Sequence, residues 1–415
     1  MGFTSFSTAL SALSADTTAI DVVGNNLANI NTPGFKASTV SFHDLVTQSL
    51  GAGLGETQVG FGVAPPVTLR QFSQGAIQST GGPLDVAIQG DGFLITQNSQ
   101  GATEYTRGGS LQVDAQGNLT TATGEAVQGW TLANGVLNTN LPVGNITVPV
   151  GSLKPPIPTA NVSVDLNLDA SATQGSPTGS FSTSIQTYDS LGNAHVVTFA
   201  FTKSATANQW NYSLSFPNSD VTTPIPPVTG TLTFDGTGAL ISPLPTATAP
   251  VLAITGLTDG AANMNINWNL FNGVTPRMTQ YSQPSATSAL SQDGAPAANL
   301  VHIGLSDGGK IIAQYSSGDQ VTVGQLAMAT IRNPESLLAV GNSSYSLSAL
   351  SALPSVGVAN TGGRGQILGA SVEASTVDIA KEFTNLIVFQ RGYQANTKVI
   401  TTVDQLSQDT IALKQ

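Results

Sequence analysis

The sequence predicts an α+β fold that is mainly β: terminal helices forming a coiled coil, with two nested all-β domains between them. Three observations carry this. Apolar residues recur at helical spacing only near the two ends of the chain. Between the ends, short alternating runs are broken by turn residues every eight to twelve positions, as in small all-β domains. The 44 glycines and 22 prolines of the 415-residue chain supply those turns.

Near the N-terminus Phe6, Leu10, Leu13, Thr17, Ile20, Gly24 and Leu27 recur at alternating steps of four and three, the spacing of a coiled-coil seam. Pro33 and Gly34, within Asn31-Thr32-Pro33-Gly34-Phe35, end this helix by removing a donor and permitting a positive φ, and the Asn residues around them suit turn positions. From about Ser375 a second stripe begins. Ile379, Phe383, Leu386 and Ile387 share one face, and Tyr393, Val399, Ile400, Val403, Leu406 and Leu413 follow, with Gly392 the only glycine. An isolated helix of this kind is marginal in water, so each needs a partner. The other terminal helix is the obvious one and further copies of the chain the next; packing of both helices on the β-rich body is the alternative.

Between the helices, 36–75 and 361–374 are expected as connecting segments, the first glycine-rich and partly extended, with Gly51, Gly53, Gly55, Gly60 and Gly62 closely spaced. Residues 76–145 alternate cleanly, as in Leu84-Asp85-Val86-Ala87-Ile88 and Phe93-Leu94-Ile95, and 281–360 return to that style. Residues 146–280 differ: Pro155, Pro156 and Pro158 mark the entrance, and Asp189-Ser190-Leu191-Gly192-Asn193, Asp235-Gly236-Thr237-Gly238 and Asn272-Gly273 are turns between strands. If the terminal helices of 1–35 and 375–415 pair, the chain goes out and comes back. The inner β domain is then 76–145 with 281–360, and 146–280 is an inserted outer β domain.

Charged residues make up only 9% of the chain, 13 basic against 24 acidic, and no basic cluster occurs, which argues against nucleic acid as a partner. Cysteine is absent, so there are no disulfides and no thiolate metal sites. No apolar run is long enough to span a membrane, and a positively charged leader before an apolar core is not seen. No Gly-x-Ser-x-Gly elbow, phosphate loop or calcium loop is present. His43, His195 and His302 lie far apart, and none has a second ligand at helical spacing, so no metal, cofactor or catalytic site is expected. Arg107 and Arg391 are scarce charges in neutral surroundings, each either holding a specific pair or solvated.

Gly24-Asn25-Asn26-Leu27-Ala28-Asn29-Ile30-Asn31-Thr32-Pro33-Gly34-Phe35-Lys36, with Ala9-Leu10-Ser11-Ala12-Leu13 before it, resembles the N-terminal signature of the axial proteins of the bacterial flagellum, the rod, hook and hook-associated proteins. Phe389-Gln390-Arg391-Gly392-Tyr393-Gln394-Ala395-Asn396 is similar to their C-terminal signature. Gln89-Gly90-Asp91-Gly92-Phe93 with Tyr105-Thr106-Arg107 resembles the hook and rod members, Leu94 standing where a second aromatic is common. The additional central domain resembles the hook branch rather than the shorter rod proteins. That resemblance implies a subunit exported through the flagellar type III apparatus without signal cleavage, polymerising into a curved, flexible extracellular tube that links rod to filament and transmits torque. It implies as partners further copies of itself in a helical homopolymer, the rod, the hook cap, the hook–filament junction proteins and the export apparatus, with no membrane insertion. Two other readings stay open: a distal-rod protein with an insert, and a secreted β-rich adhesin or carbohydrate-binding protein that would fold without the terminal helices.

Overall fold

The computed structural model describes residues 2–45, 47–50, 57–133, 136–151 and 153–412. Leu413, Gly51, Gly53 and Gly55 lie outside them. Among the described residues the α-helices are α1 (Gly2–Ala28) and α2 (Ile379–Ala412), and nearly everything between is strand and turn, so the fold is mainly β with a helix at each end. The chain forms two compact units, one of Met1–Val150, His302–Ala313 and Gln320–Gln415, the other of Gly151–Val301 and Gln314–Asp319.

In the first unit the returning chain retraces the outgoing one. Ile77–Ser79 pairs antiparallel with Ser371–Glu373, Val86–Gln89 with Gln366–Gly369, and Phe93–Gln97 with Met328–Thr330. Phe93, Leu94, Ile95 and Thr96 are all buried, so this strand is covered on both faces, as a continuous apolar run requires. The core gathers Phe93, Ile95, Tyr105, Trp130 and Tyr345, with Phe72 edge-on to Phe93 and Tyr345 at ring-centroid distances of 5.6 and 5.1 Å. Much of what the sequence suggests as connecting segment is laddered. Besides 366–369 and 371–373, Ser38–Ser41 pairs with Val67–Arg70, and Thr47–Leu50 with Thr57–Gly60. These strands have only three or four residues, too few for alternation to stand out among glycines.

The second unit contains two five-stranded sheets. One is the meander Ser180–Tyr188, Ala194–Lys203, Gln209–Ser215, Val228–Phe234 and Leu240–Ser242. In the other, Asn161–Asn167 pairs parallel with Met264–Trp268 and antiparallel with Ala286–Gln292. Inward-facing Phe199, Phe201, Trp210, Leu214, Leu232 and Trp268 are fully buried, and the Trp268 ring lies 5.1 Å from Tyr212 and 5.2 Å from Phe199. This unit reaches Val301, beyond the boundary at 280 that composition suggests. The reason is strand 286–292, ATSALSQ, whose side chains are largely exposed: its place is set by its backbone ladder, which leaves no mark in hydrophobicity.

Candidate assembly site

The candidate elements are the two helices and the residues that fix their bases. At α2 the Asp378 carboxylate accepts from the Lys381 backbone N–H at 3.1 Å, an N-cap that satisfies one of the helix's free donors. At the far end of α1, Gly34 takes φ +70°, and a Cβ there would lie 2.6 Å from the Arg107 backbone carbonyl, so both conformation and space demand glycine. Its N–H donates to the Glu373 carbonyl at 2.7 Å. Asn31 and Pro33 are exposed on the turn, and Pro33 and Phe35 line a cleft of about 590 Å³ with Arg70 and Tyr345.

The helices run antiparallel. Asn26 near the end of α1 meets Glu382 in the first turn of α2 at 3.2 Å, and Asp16 meets Asn396 further along at 3.1 Å. The faces that meet are small and polar. Ala9, Ala15, Ala19, Val23 and Asn26 are buried on α1, and Gly392 lies so close to Asp16 that an added Cβ would stand 3.1 Å from its carboxylate. Small side chains let two helix backbones approach; leucine and phenylalanine would hold them apart. The predicted stripe is therefore turned elsewhere. Phe6 and Leu10 are 43% and 53% exposed, and Leu13, Ile20 and Leu27 are half-buried. On α2 Ile379, Phe383, Ile387, Tyr393, Val399 and Leu406 are exposed, and Leu386, Ile400 and Val403 half-buried. Within one chain an alanine–asparagine face is the buried part of α1, six of the large apolar side chains are half-buried, and the other eight of the stripes stay exposed.

Below the helices sits a buried charge cluster. Lys36 Nζ lies 2.6 Å from Glu373 Oε1 and Arg107 Nη1 3.3 Å from Oε2, with the lysine and glutamate side chains fully buried. Lys36 also donates to the Ser73 carbonyl at 2.6 Å, and the Gly75 N–H to Glu373 at 2.7 Å. Arg107 Nε and Nη2 donate to the carbonyls of Gly92 and Gly90 at 2.9 and 2.7 Å, and its guanidinium lies over the Phe93 ring. Burial pushes the Lys36 amine below its ordinary value, and the Glu373 carboxylate works against that shift. One carboxylate therefore ties the segments after α1 and before α2 to the first β strands. Arg107 holds a specific pair, and Arg391 is exposed on α2.

Two residues here escape sequence reasoning. Asn26 sits inside α1 rather than in a turn; fully buried, it donates to the Ser38 carbonyl at 2.8 Å and accepts from the Ser38 N–H at 3.0 Å, as a strand partner would. Glu373 is a lone acid in a neutral stretch, and its isolation among scarce charges was the only available signal. Of the histidines, His43 and His302 are exposed, whereas His195, in the second unit, is buried among Asp189, Asp220 and Asp259.

Helices that pair through their small faces and carry their large apolar side chains outward, above a pinned β body, define a structural subunit of an assembling kind. Residues 6–36 match the family model for the flagella basal body rod protein, 87–167 the flagellar hook protein FlgE/F/G D1 domain, 167–295 the flagellar basal body protein FlaE D2 domain, and 369–413 the flagellar basal body rod FlgEFG protein C-terminal. The chain is 31% identical over 443 residues to the flagellar hook protein FlgE of Borreliella burgdorferi, covering 98% of each. It is 31% identical over 438 residues to that of Escherichia coli, covering 99% of this chain and 100% of the other. The crystal structure of Helicobacter pylori flagellar hook protein FlgE2 shares the fold, with a TM-score of 0.52 at 14% identity over 70% of this chain and 99% of that one. The chain belongs to the flagellar hook protein family. It is a structural subunit of the bacterial flagellar hook, and homopolymer assembly within the flagellum comes with that membership. No helix among the described residues is long and apolar enough to cross a membrane.

Proposed function

We propose that the exposed stripes of α1 and α2 are the seam between subunits. Phe6, Leu10, Leu13, Ile20 and Leu27 on α1, and Ile379, Phe383, Leu386, Ile387, Tyr393, Val399, Ile400, Val403 and Leu406 on α2, would be covered by neighbouring copies. Asn31, Pro33, Gly34 and Phe35 terminate α1 and set its direction. The observation that carries this is the division of faces: small residues meet within the chain while eight large apolar side chains, Phe6, Leu10, Ile379, Phe383, Ile387, Tyr393, Val399 and Leu406, stay about half exposed. Covering each remaining half is worth about 1 kcal/mol, half of what full burial gives. A subunit joining a polymer meets an association cost of at least about 4 kcal/mol once while its stripes touch several neighbours, which favours a polymer over separate pairings.

The polymer so formed is a curved, flexible tube that joins rod to filament and transmits torque. Its further partners are the rod, the hook cap and the hook–filament junction proteins, and the subunit reaches its extracellular place through the flagellar export apparatus without loss of a leader. The β strands of the first unit act as the inner β domain, and the second unit, 151–301 with 314–319, as the inserted outer one. In the outer domain, few charges and many hydroxyls and amides let neighbours exchange weak polar contacts as the tube bends.

Electron microscopy under salting-out conditions tests the seam. Full-length chain is expected to form tubes, and Leu10→Ser with Phe383→Ser to remain monomeric with unchanged far-UV circular dichroism. Tubes from the double variant at wild-type protein concentration would sink the proposal, and straight, rigid tubes from the wild-type chain would sink the flexible-joint reading.

A further inference from the structure

We propose that Asp189, His195 and Asp259 form a binding site for a zinc-like divalent transition-metal ion, with Asp220 orienting the imidazole. Four separate elements bring these residues together. Asp189 opens the tight turn to strand Ala194–Lys203, which carries His195; Asp220 ends the 3-10 turn Asn218–Asp220; and Asp259 lies between Val251–Ile254 and Met264–Trp268.

The tautomer decides the chemistry. His195 Nδ1 is 2.9 Å from Asp220 Oδ2, and a carboxylate only accepts, so Nδ1 carries a hydrogen. Nε2 then points at two further carboxylate oxygens, Asp189 Oδ2 at 3.1 Å and Asp259 Oδ2 at 3.6 Å. A lone pair facing two anions is repulsive, so a cation must sit there: a second proton or a metal ion. A proton on Nε2 serves Asp189 Oδ2 at 3.1 Å and leaves Asp259 Oδ2 to the Asn193 side-chain amide at 3.0 Å. A divalent ion can meet both oxygens and the nitrogen together.

The spacing fits. Metal bonds of about 2.1 Å in a tetrahedral site place ligand atoms roughly 3.4 Å apart. The three ligand atoms lie within 4.8 Å of one another, and the two distances from Nε2 bracket that edge. Asp189 is free for the role, because its other oxygen, Oδ1, already accepts the backbone N–H groups of Leu191 and Asn193 at 2.8 and 2.9 Å. Asp220 then supplies the carboxylate–histidine hydrogen bond typical of metal-ligating imidazoles. Phe216 packs against the His195 ring at 5.3 Å, while the Asp259 side chain is 25% exposed. The imidazole nitrogen favours a transition ion such as zinc over magnesium or calcium, although carboxylates also suit the harder ions. Sequence gave no hint of this, since Asp259 is remote from the turn in the chain.

The test uses the full chain after treatment with a chelator, titrated with zinc chloride by calorimetry in two buffers of different protonation enthalpy, and with cobalt(II) followed by visible absorption. One saturable site per chain is expected, with a tetrahedral cobalt spectrum and a buffer-dependent heat that reports proton release from His195. Asp259→Asn, at the partly exposed ligand, should weaken zinc binding at least ~10-fold, and Asp220→Asn by ~10–100-fold as a loss of the orienting hydrogen bond. His195→Gln should abolish saturable binding, and should that variant fail to fold, Asp259→Asn decides alone. Absence of saturable binding, or equal binding by wild type and Asp259→Asn, would overturn the proposal and leave the cluster as a proton-bound ion network. The outcome does not depend on the assembly reading.

Discussion

Replacing Glu373 by glutamine removes one charge from a fully buried cluster of three and leaves the geometry nearly isosteric. Lys36 at 2.6 Å and Arg107 at 3.3 Å would then be buried cations without a counter-charge, and the glutamine amide would direct donors at donors. Breaking a buried pair by removing one partner costs about 3–5 kcal/mol. The side chains are 0%, 0% and 4% exposed, so no solvent screening reduces that figure. At about 1.4 kcal/mol per tenfold, it corresponds to roughly 10²–10³-fold or more faster amide exchange wherever global opening of the first unit governs exchange. Hydrogen exchange with mass spectrometry reads this directly. Peptides covering 34–37, 73–77, 90–93, 105–109 and 371–374 should lose protection, while those covering Phe199–Phe201 and Trp268 in the second unit serve as an internal control. Adding Lys36→Met should restore part of the loss, because one unpaired cation is then gone, with a coupling between the two changes of about 0.5–3 kcal/mol. Protection in Glu373→Gln within about 1 kcal/mol of wild type would refute the view that this carboxylate pins the base of the helices.

Three further outcomes follow from the same physical grounds. Gly34→Ala should cost several kcal/mol more than Gly81→Ala in thermal or urea unfolding: both glycines have φ +70°, worth about 1–2 kcal/mol to an L-residue, but only at Gly34 would the new Cβ strike backbone. Equal losses would show that conformation alone matters. Ala19→Leu, at a fully buried position on the small face of α1, should lower the stability of the helix pair by about 1–3 kcal/mol through overpacking, seen as exchange in both helices; unchanged protection would mean that the helices do not meet there. Burial pushes the Asp293 carboxyl up, but the Asn161 backbone N–H, the Asn161 side-chain amide and the Ala160 N–H outweigh it and hold it below its ordinary value. Its contribution is therefore present above about pH 3.9, the unfolded value, and lost as pH falls through the lower folded one, so Asp293→Asn should flatten the acid limb of unfolding of the second unit, an effect absent if that limb is unchanged.

The two helices, the mainly β body and the helix-ending turn are visible in the sequence because each depends on local chemistry: spacing of apolar residues, alternation, and proline with glycine. What pairs with what is less visible. Alanines on α1 look like filler between leucines, yet they are the face that meets α2, because contact between backbones rewards absence of bulk and so leaves no hydrophobic signal. Asn26 resembles the turn-forming asparagines that follow it until Ser38 is brought alongside. Strand 286–292 has a single large apolar residue, Leu290, which is exposed, so no hydrophobic alternation betrays its partner. His195 looks solitary because Asp220 and Asp259 reach it only through the sheet connections of the second unit.

The Lys36–Glu373 contact has a temporal meaning as well as an energetic one. It joins residues 337 positions apart, and the carbonyl of the same glutamate receives the Gly34 N–H. A chain emerging N-terminus first exposes its lysine and both arginine-bound carbonyls long before the acid that completes them arrives. Closing so long a loop is slow, and contacts of high sequence separation form late. The base of the first unit therefore closes only once almost the whole polypeptide is present, so its lock is among the last contacts the chain can make.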